Sequence, residues 1–259
     1  MRQELPAQGL AQGRERLVAR LESCGLPRAA IDALLSRHTL VRYPKDMPLF
    51  TEGSPADVIF AVMGGIVKIY CAGSRGNRIL VGLAGAGDLV GYADFGGDED
   101  ERAQMFEAEA FSSAAVALFT RDHILRVLRS LDAGTVLKLT ESVNFLWASI
   151  VHRYACFLGM SLRERLESVF AEMAERFGLA DARGVMLTPE IGQEALAEMI
   201  GGSRPMVSKL LAEMMRQGVI LRDGRHYIVR RPPATSAKDT PQAPERAPGA
   251  NQRGGTSAA

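Results

Sequence analysis

Residues 193–218 read QEALAEMIGGSRPMVSKLLAEMMRQG. Counted from Gln193, Ala197 stands fifth, Gly201 ninth, Val207 fifteenth and Leu210 eighteenth. That spacing suits two short helices that cross at a tight turn. A small residue at Ala197 allows close crossing, and Gly201 accepts the positive φ of the turn. Val207, Leu210, Leu211 and Met214 follow at i, i+3, i+4 and i+7, predicting the buried stripe of the second helix. Ser203 stands where its N-cap is expected. The opposite face carries Arg204, Pro205, Ser208 and Lys209. An Arg fork matches guanine O6 and N7, whereas Lys and Ser reach bases or phosphates. Proline is tolerated in a first helical turn because its missing N–H would lack an intrahelical partner there.

Outward on the C-terminal side, Val219–Leu221 and His226–Val229 flank Asp223-Gly224, which predicts a hairpin. A helix-turn-helix followed by a hairpin is a winged arrangement, with Arg222 and Arg225 placed for phosphate. The expected DNA-contacting set is Gln193, Ser203, Arg204, Pro205, Ser208, Lys209 and Arg225. Residues 231–259 contain no large apolar residue and hold five of the twelve prolines, so a disordered tail is expected there.

Outward on the other side, Ser161-Leu-Arg-Glu164 fits a capping box that opens a helix after a hinge near Gly159. Before the hinge, residues 135–158 predict a helix roughly 36 Å long at 1.5 Å per residue. Leu139, Val143, Leu146, Ile150 and Phe157 form an apolar seam suited to a twin helix. Trp147, Val151 and Tyr154 supply a second apolar face, expected to lie on the preceding domain. Residues 39–120 alternate Val/Ile/Phe runs (58–63, 66–70, 79–83, 114–119) with Gly-rich breaks, predicting a small antiparallel roll. Residues 1–38 read as two short helices broken at Gly25-Leu26-Pro27. The fold class expected is α+β. The divisions are helices 1–38, sensor roll 39–130, dimerisation helix 131–160, winged helix-turn-helix 161–230 and tail 231–259.

Composition narrows the function classes. The 259 residues carry a formal net charge of +1, which by itself argues against nucleic acid. The charge is uneven, however. Residues 200–231 hold seven basic residues against two acidic, and residues 88–110 hold eight acidic against one basic. Three dispersed cysteines (Cys24, Cys71, Cys156) exclude a disulfide framework and a cysteine-only metal site. The N-terminus lacks an apolar signal region and no run is long enough to cross a bilayer, so a cytoplasmic protein without membrane contact is expected. A rival reading is a small-molecule- or haem-binding sensor, or a cupin-like metalloprotein, with an accessory helical domain. It would need clustered ligands, and His38, His123, His152 and His226 are isolated. No nucleophile triad or P-loop emerges, so no enzyme is expected and no cofactor, haem being the residual option.

The order of roll, long helix, hinge and winged helix-turn-helix, with GGSRPMVSKLL at 201–211, resembles the cyclic-AMP receptor protein/fumarate-nitrate regulator (CRP/FNR) family. PLFTEGSPADVIFAVMGGIVKIY (48–70) and GLAGAGDLVGYADF (82–95) match the roll's strand-and-turn rhythm. The resemblance covers residues 10–230. It implies a homodimer joined through the long helix, double-stranded DNA as target and RNA polymerase as a further contact. It also implies a small-molecule effector between roll and helix that reorients the DNA domains. The implied pocket residues are Gly91, Tyr92, Arg102, Trp147, Ile150 and Val151. In cyclic-AMP responders of this family a Glu holds the ribose where this chain has Tyr92. An Arg-Ser or Arg-Thr pair grips the phosphate where it has Arg102-Ala103, and hydroxyl residues face the adenine where it has Ile150 and Val151. With the acidic 88–110 segment, these departures disfavour cyclic AMP. Many members also carry Glu at the Pro205 position, where it reads cytosine, so a different half-site is expected.

Overall fold

The structure is a computed structural model describing residues 7–72, 78–91 and 103–230. Two helices open it, α1 (Ala7–Ser23) and α2 (Arg28–Leu35). Eight strands follow: β1 (Thr39–Tyr43), β2 (Pro48–Phe50), β3 (Val58–Gly64), β4 (Val67–Ala72), β5 (Arg78–Ala84), β6 (Leu89–Val90), β7 (Glu107–Ala110) and β8 (Ala114–Thr120). They form two four-stranded antiparallel sheets, β1-β8-β3-β6 and β2-β7-β4-β5. Phe60, Val62 and Val116 from the first sheet meet Phe50, Val67 and Ala108 from the second in one core. Ala114, Ala115 and Ala117 let β8 sit between β1 and β3 with its neighbours close on both faces.

The back of the first sheet is sealed by the N-terminal helices. Leu17, Leu21, Ile31 and Leu35 pack on Ala61, Met63, Ala115 and Phe119. The approach is tight, since a Cβ built on Gly13 would stand 1.9 Å from the Met63 carbonyl oxygen. β7 is the strand that a Val/Ile/Phe search passes over. Its sequence is Glu-Ala-Glu-Ala, and the alternation buries Ala108 and Ala110 while turning Glu107 and Glu109 outward.

A short helix, α3 (Arg121–Arg129), leads into α4 (Ala133–Gly159), which Asp132 caps by accepting from the Thr135 N–H at 3.0 Å. The expectation that one face of α4 lies on the roll is not met: no described side chain of α4 is buried. The reason is occupancy. The outer face of the first sheet is taken by α1 and α2, and the C-terminal domain packs on part of the second. No described helix is long and apolar enough to cross a membrane.

The C-terminal domain comprises α5 (Leu162–Phe177), β9 (Gly178–Asp181), β10 (Gly184–Leu187), α6 (Gln193–Ile200), α7 (Arg204–Arg216), β11 (Ile220–Asp223) and β12 (His226–Val229). Its four strands form one sheet, β11-β12-β10-β9, so the wing is backed by a second hairpin that the sequence reading missed. The domain's core (Leu166, Phe170, Leu196, Ile200, Val207, Leu211, Met214, Tyr227) runs without a break into Ile66, Leu83 and Phe111 of the roll.

Candidate nucleic-acid interface

The helix-turn-helix forms as its spacing predicts. Gly201 ends α6 at φ +66°, a left-handed conformation that Cβ-bearing residues resist. Its N–H donates to Glu198 O, and the Gly202 N–H donates to Ala197 O at 2.9 Å. Val207, Leu211 and Met214 are fully buried, whereas Leu210 is only half-buried against the same core. Ser203 occupies the N-cap position of α7 with extended backbone, but its side chain makes no capping bond. Its hydroxyl is therefore exposed at the helix start.

Arg204, Pro205, Ser208 and Lys209 are all exposed along one face of α7. Arg204 and Lys209 have no ion-pair partner among the described residues. Two cations that no carboxylate neutralises, at the N-terminal end of an exposed helix, are what major-groove entry requires. Gln193 begins α6 half-buried.

The wing turn differs in detail from its expected form. Asp223 pairs with His226 inside the ladder, so the two loop residues are Gly224 and Arg225, with Gly224 at φ +57°. Glycine at the first loop position matches a type II′ hairpin rather than an Asp-Gly turn. Arg225 projects with its side chain 80% exposed and pairs with Glu190 at 3.2 Å. Arg222 donates to the Gly224 carbonyl at 3.1 Å and lies over the Tyr227 ring. Arg183, which the sequence reading missed, ties the two hairpins together by bonding Asp181 at 2.9 Å and Asp223 at 2.5 Å.

The hinge carries the expected capping box. The Ser161 hydroxyl accepts from the Glu164 N–H, and Glu164 accepts from the Ser161 N–H at 2.7 Å. The Ser161 N–H, and then the Ser161 hydroxyl donating at 2.7 Å, hold the Glu164 carboxyl below its ordinary pKa. The larger tie is Arg165, which no motif flagged. Its guanidinium donates to Met160 O (3.1 Å), Leu158 O (3.3 Å) and Ile200 O (3.2 Å) and lies over Phe157. One side chain thus joins the last carbonyls of α4 to the end of α6.

Along α4, Val143, Ile150, Val151 and Tyr154 are 63%, 45%, 48% and 62% exposed. Leu139 and Phe157 are half-buried; the side chains of Leu146 and Trp147 are outside the described residues. Of the implied effector pocket, Tyr92 and Arg102 also lie outside the described residues. Gly91 sits at φ +98° beside Phe60, Gln104 and Phe50. Ile150 and Val151 are exposed on α4, 45% and 48%.

The acidic 88–110 segment is less repulsive than its sequence suggests. Asp88 bonds Arg20 at 2.9 Å and Arg176 at 2.5 Å, Glu109 bonds Lys68 at 2.7 Å, and Arg78 contacts both Glu107 and Glu109. Three of the eight acids are thereby neutralised, so the repulsive field expected from the sequence is overstated. The other five lie outside the described residues. Histidine chemistry is also constrained. His38, His123 and His226 each place a ring nitrogen on a backbone carbonyl, at 3.0, 2.9 and 3.1 Å. His152 stands 3.6 Å from the Cys156 sulfur.

Comparison with known proteins agrees with this geometry. The cyclic nucleotide-binding domain family matches residues 40–130, and the Crp-like helix-turn-helix family matches residues 164–234. The CRP-like cAMP-activated global transcriptional regulator of Mycobacterium tuberculosis is 26% identical over 209 residues, spanning 79% of this chain and 90% of that protein. The regulatory protein CysR of Synechococcus elongatus is 27% identical over 180 residues, 68% of this chain and 78% of its own. Among solved structures, FixK2 of Bradyrhizobium japonicum superposes with a TM-score of 0.60 at 23% identity, covering 76% of this chain and 94% of that one. The c-di-GMP-responsive regulator CLP of Xanthomonas campestris gives 0.63 at 15% identity, covering 79% and 100%. With a roll, a long helix and a winged helix-turn-helix in this order, and with both family matches falling on the corresponding segments, the chain belongs to the CRP/FNR family of transcription regulators.

Proposed function

We propose that the protein is a homodimeric, sequence-specific DNA-binding regulator of the cytoplasm, without catalytic activity, that contacts RNA polymerase and answers to a small molecule other than cyclic AMP. Arg204 and Lys209, on the exposed face of α7 with no ion-pair partner among the described residues, carry the DNA-binding reading. Arg204 and Lys209 serve as base- and phosphate-contacting groups, Ser203 and Ser208 as hydroxyl partners, and Gln193 and Arg225 as backbone contacts flanking the groove. The exposed apolar residues of α4 support the homodimer, since a face of this kind needs a partner. Tyr92 in place of a ribose-binding Glu, and Ile150 and Val151 in place of hydroxyls, support a non-cyclic-AMP effector.

Arg204→Ala is expected to abolish sequence-specific binding while leaving the oligomeric state unchanged. Gel-shift titration at fixed salt, on an operator obtained by site selection with the purified protein, tests this; unchanged affinity would refute the assignment. Calorimetric titration with cyclic AMP and with cyclic di-GMP tests the effector reading, which micromolar cyclic-AMP binding would overturn.

A further inference from the structure

The turn 85–88 connects β5 to β6 and is held between two elements that do not belong to the roll. On one side is α1: a Cβ built on Gly87 would stand 2.6 Å from the Arg16 Cβ, and Arg20 bonds Asp88 at 2.9 Å. On the other side is the end of α5, the first helix of the winged domain. A Cβ on Gly85 would stand 2.5 Å from the Phe177 ring, and Arg176 bonds Asp88 at 2.5 Å while lying over that ring. Asp88 is also tied to its own turn, accepting from the Gly85 N–H at 2.8 Å. The turn in turn exchanges backbone bonds with Val62 of β3 (Val62 N–H to Asp88 O, 2.9 Å; Gly87 N–H to Val62 O, 2.8 Å). A cleft of about 240 Å³ remains, lined by Arg16, Gly85, Asp88, Glu175, Arg176 and Phe177.

We infer that Asp88 is a positioning residue that couples the sensor roll directly to the DNA-binding domain, through Arg176, by a route separate from α4 and its hinge. Gly91, which the family resemblance implies for the effector pocket, is three residues away, across β6. A displacement of this turn moves the Asp88 carboxylate, and with it the Arg176 end of α5. Because α5 shares a core with α6 and α7, the recognition helix follows as part of one packed body. The inference deepens the regulatory reading above and rests on it for its DNA arm only.

The test has two arms. In the free protein, hydrogen exchange is followed in residues 85–91 and 162–177. Arg176→Gln leaves Asp88 its bonds to Arg20 and Gly85, so the turn keeps its own support. It is expected to speed exchange in 85–91 by about fivefold, although the substitution lies in the other domain. Gly85→Ala drives the turn into Phe177 and is expected to speed exchange in 162–177; Phe177→Ala added to it restores the original rate. In the second arm, Asp88→Asn and Arg176→Gln each shift the apparent operator Kd by about tenfold in the same direction, and the double variant shifts it no further. Exchange effects confined to the mutated domain, or additive effects on Kd, overturn the inference. Exchange coupling with an unchanged Kd also overturns it, by showing a structural joint only. If the wild type bound no operator, the DNA-binding reading would fall, while the exchange arm would still decide whether the two domains are coupled.

Discussion

Glu109 shows how much one residue's neighbours change its meaning. Read along the chain, it is one of eight acids in a short segment. In the fold it is half-buried on the outer face of β7, where Lys68 and Arg78 reach it from β4 and β5. Burial works to raise its pKa, but the hydrogen bonds from Lys68 and then Arg78 outweigh that and hold the carboxyl below its ordinary value. A depressed folded pKa contributes stability that is fully present above the unfolded value of about 4.3 and is lost as pH falls through the folded value. Glu109→Gln is therefore expected to reduce the loss of stability on acidification below about pH 4, which urea unfolding midpoints across the acid range would measure. An unaltered pH profile would show that the ion pairs contribute nothing to folding. Arg204 and Lys209 are the converse case. Their residue types suggest DNA contact in the sequence, and the fold leaves both exposed without a carboxylate partner among the described residues.

At the scale of elements, local patterns translated well wherever the physics is local. The capping box at Ser161, the left-handed Gly201 and the buried stripe of α7 each depend on residues within about two helical turns. α4 is different. Its apolar pattern announces a helix with two sticky faces, but cannot say what covers them, and in this chain nothing among the described residues buries either face. Val143, 63% exposed, lies on the face proposed for the twin helix. Val143→Glu is expected to yield a folded monomer, because a charge at a coiled-coil seam opposes its own copy without disturbing the protomer. Sedimentation velocity reads the mass directly, and a persistent dimer would move the interface elsewhere. β7 and the β9–β10 hairpin escaped the sequence reading. β7 (Glu-Ala-Glu-Ala) and β9 (Gly-Leu-Ala-Asp) are built on Ala, Gly, Leu and acidic residues with no β-branched side chain, and β10 (Gly-Val-Met-Leu) is too short to show an alternation, so the strand preference comes from pairing with neighbours and not from composition.

For the whole molecule, a net charge of +1 conceals separation rather than balance at every site. The exposed wing places Arg225 at the tip, paired with Glu190, a partner that a phosphate can replace. Arg225→Ala is expected to weaken binding about equally across DNA sequences. It should also lower the slope of log K against log salt by about 0.9, the value for one phosphate contact on duplex DNA. Gel-shift or anisotropy titrations over a salt series would show it, and an unchanged slope would remove Arg225 from the phosphate-contacting set. Arg204→Ala, in contrast, should act mainly on discrimination between sequences.

What the sequence alone determined is the set of local devices: the helix-turn-helix, the wing, the hinge cap, the long helix and the strand rhythm of the roll. Each is written within a few residues, because helix periodicity, capping and turn conformation are short-range properties. Only the tertiary structure decided which charges are spent on each other. Asp88 meets Arg176 across 88 residues of chain, and Tyr70 of the roll donates to Glu198 of α6 across 128. Arg165 spans the hinge to hold carbonyls of two helices at once. Those pairings depend on how the winged domain packs on the roll, and packing between distant segments leaves no periodic trace in the chain.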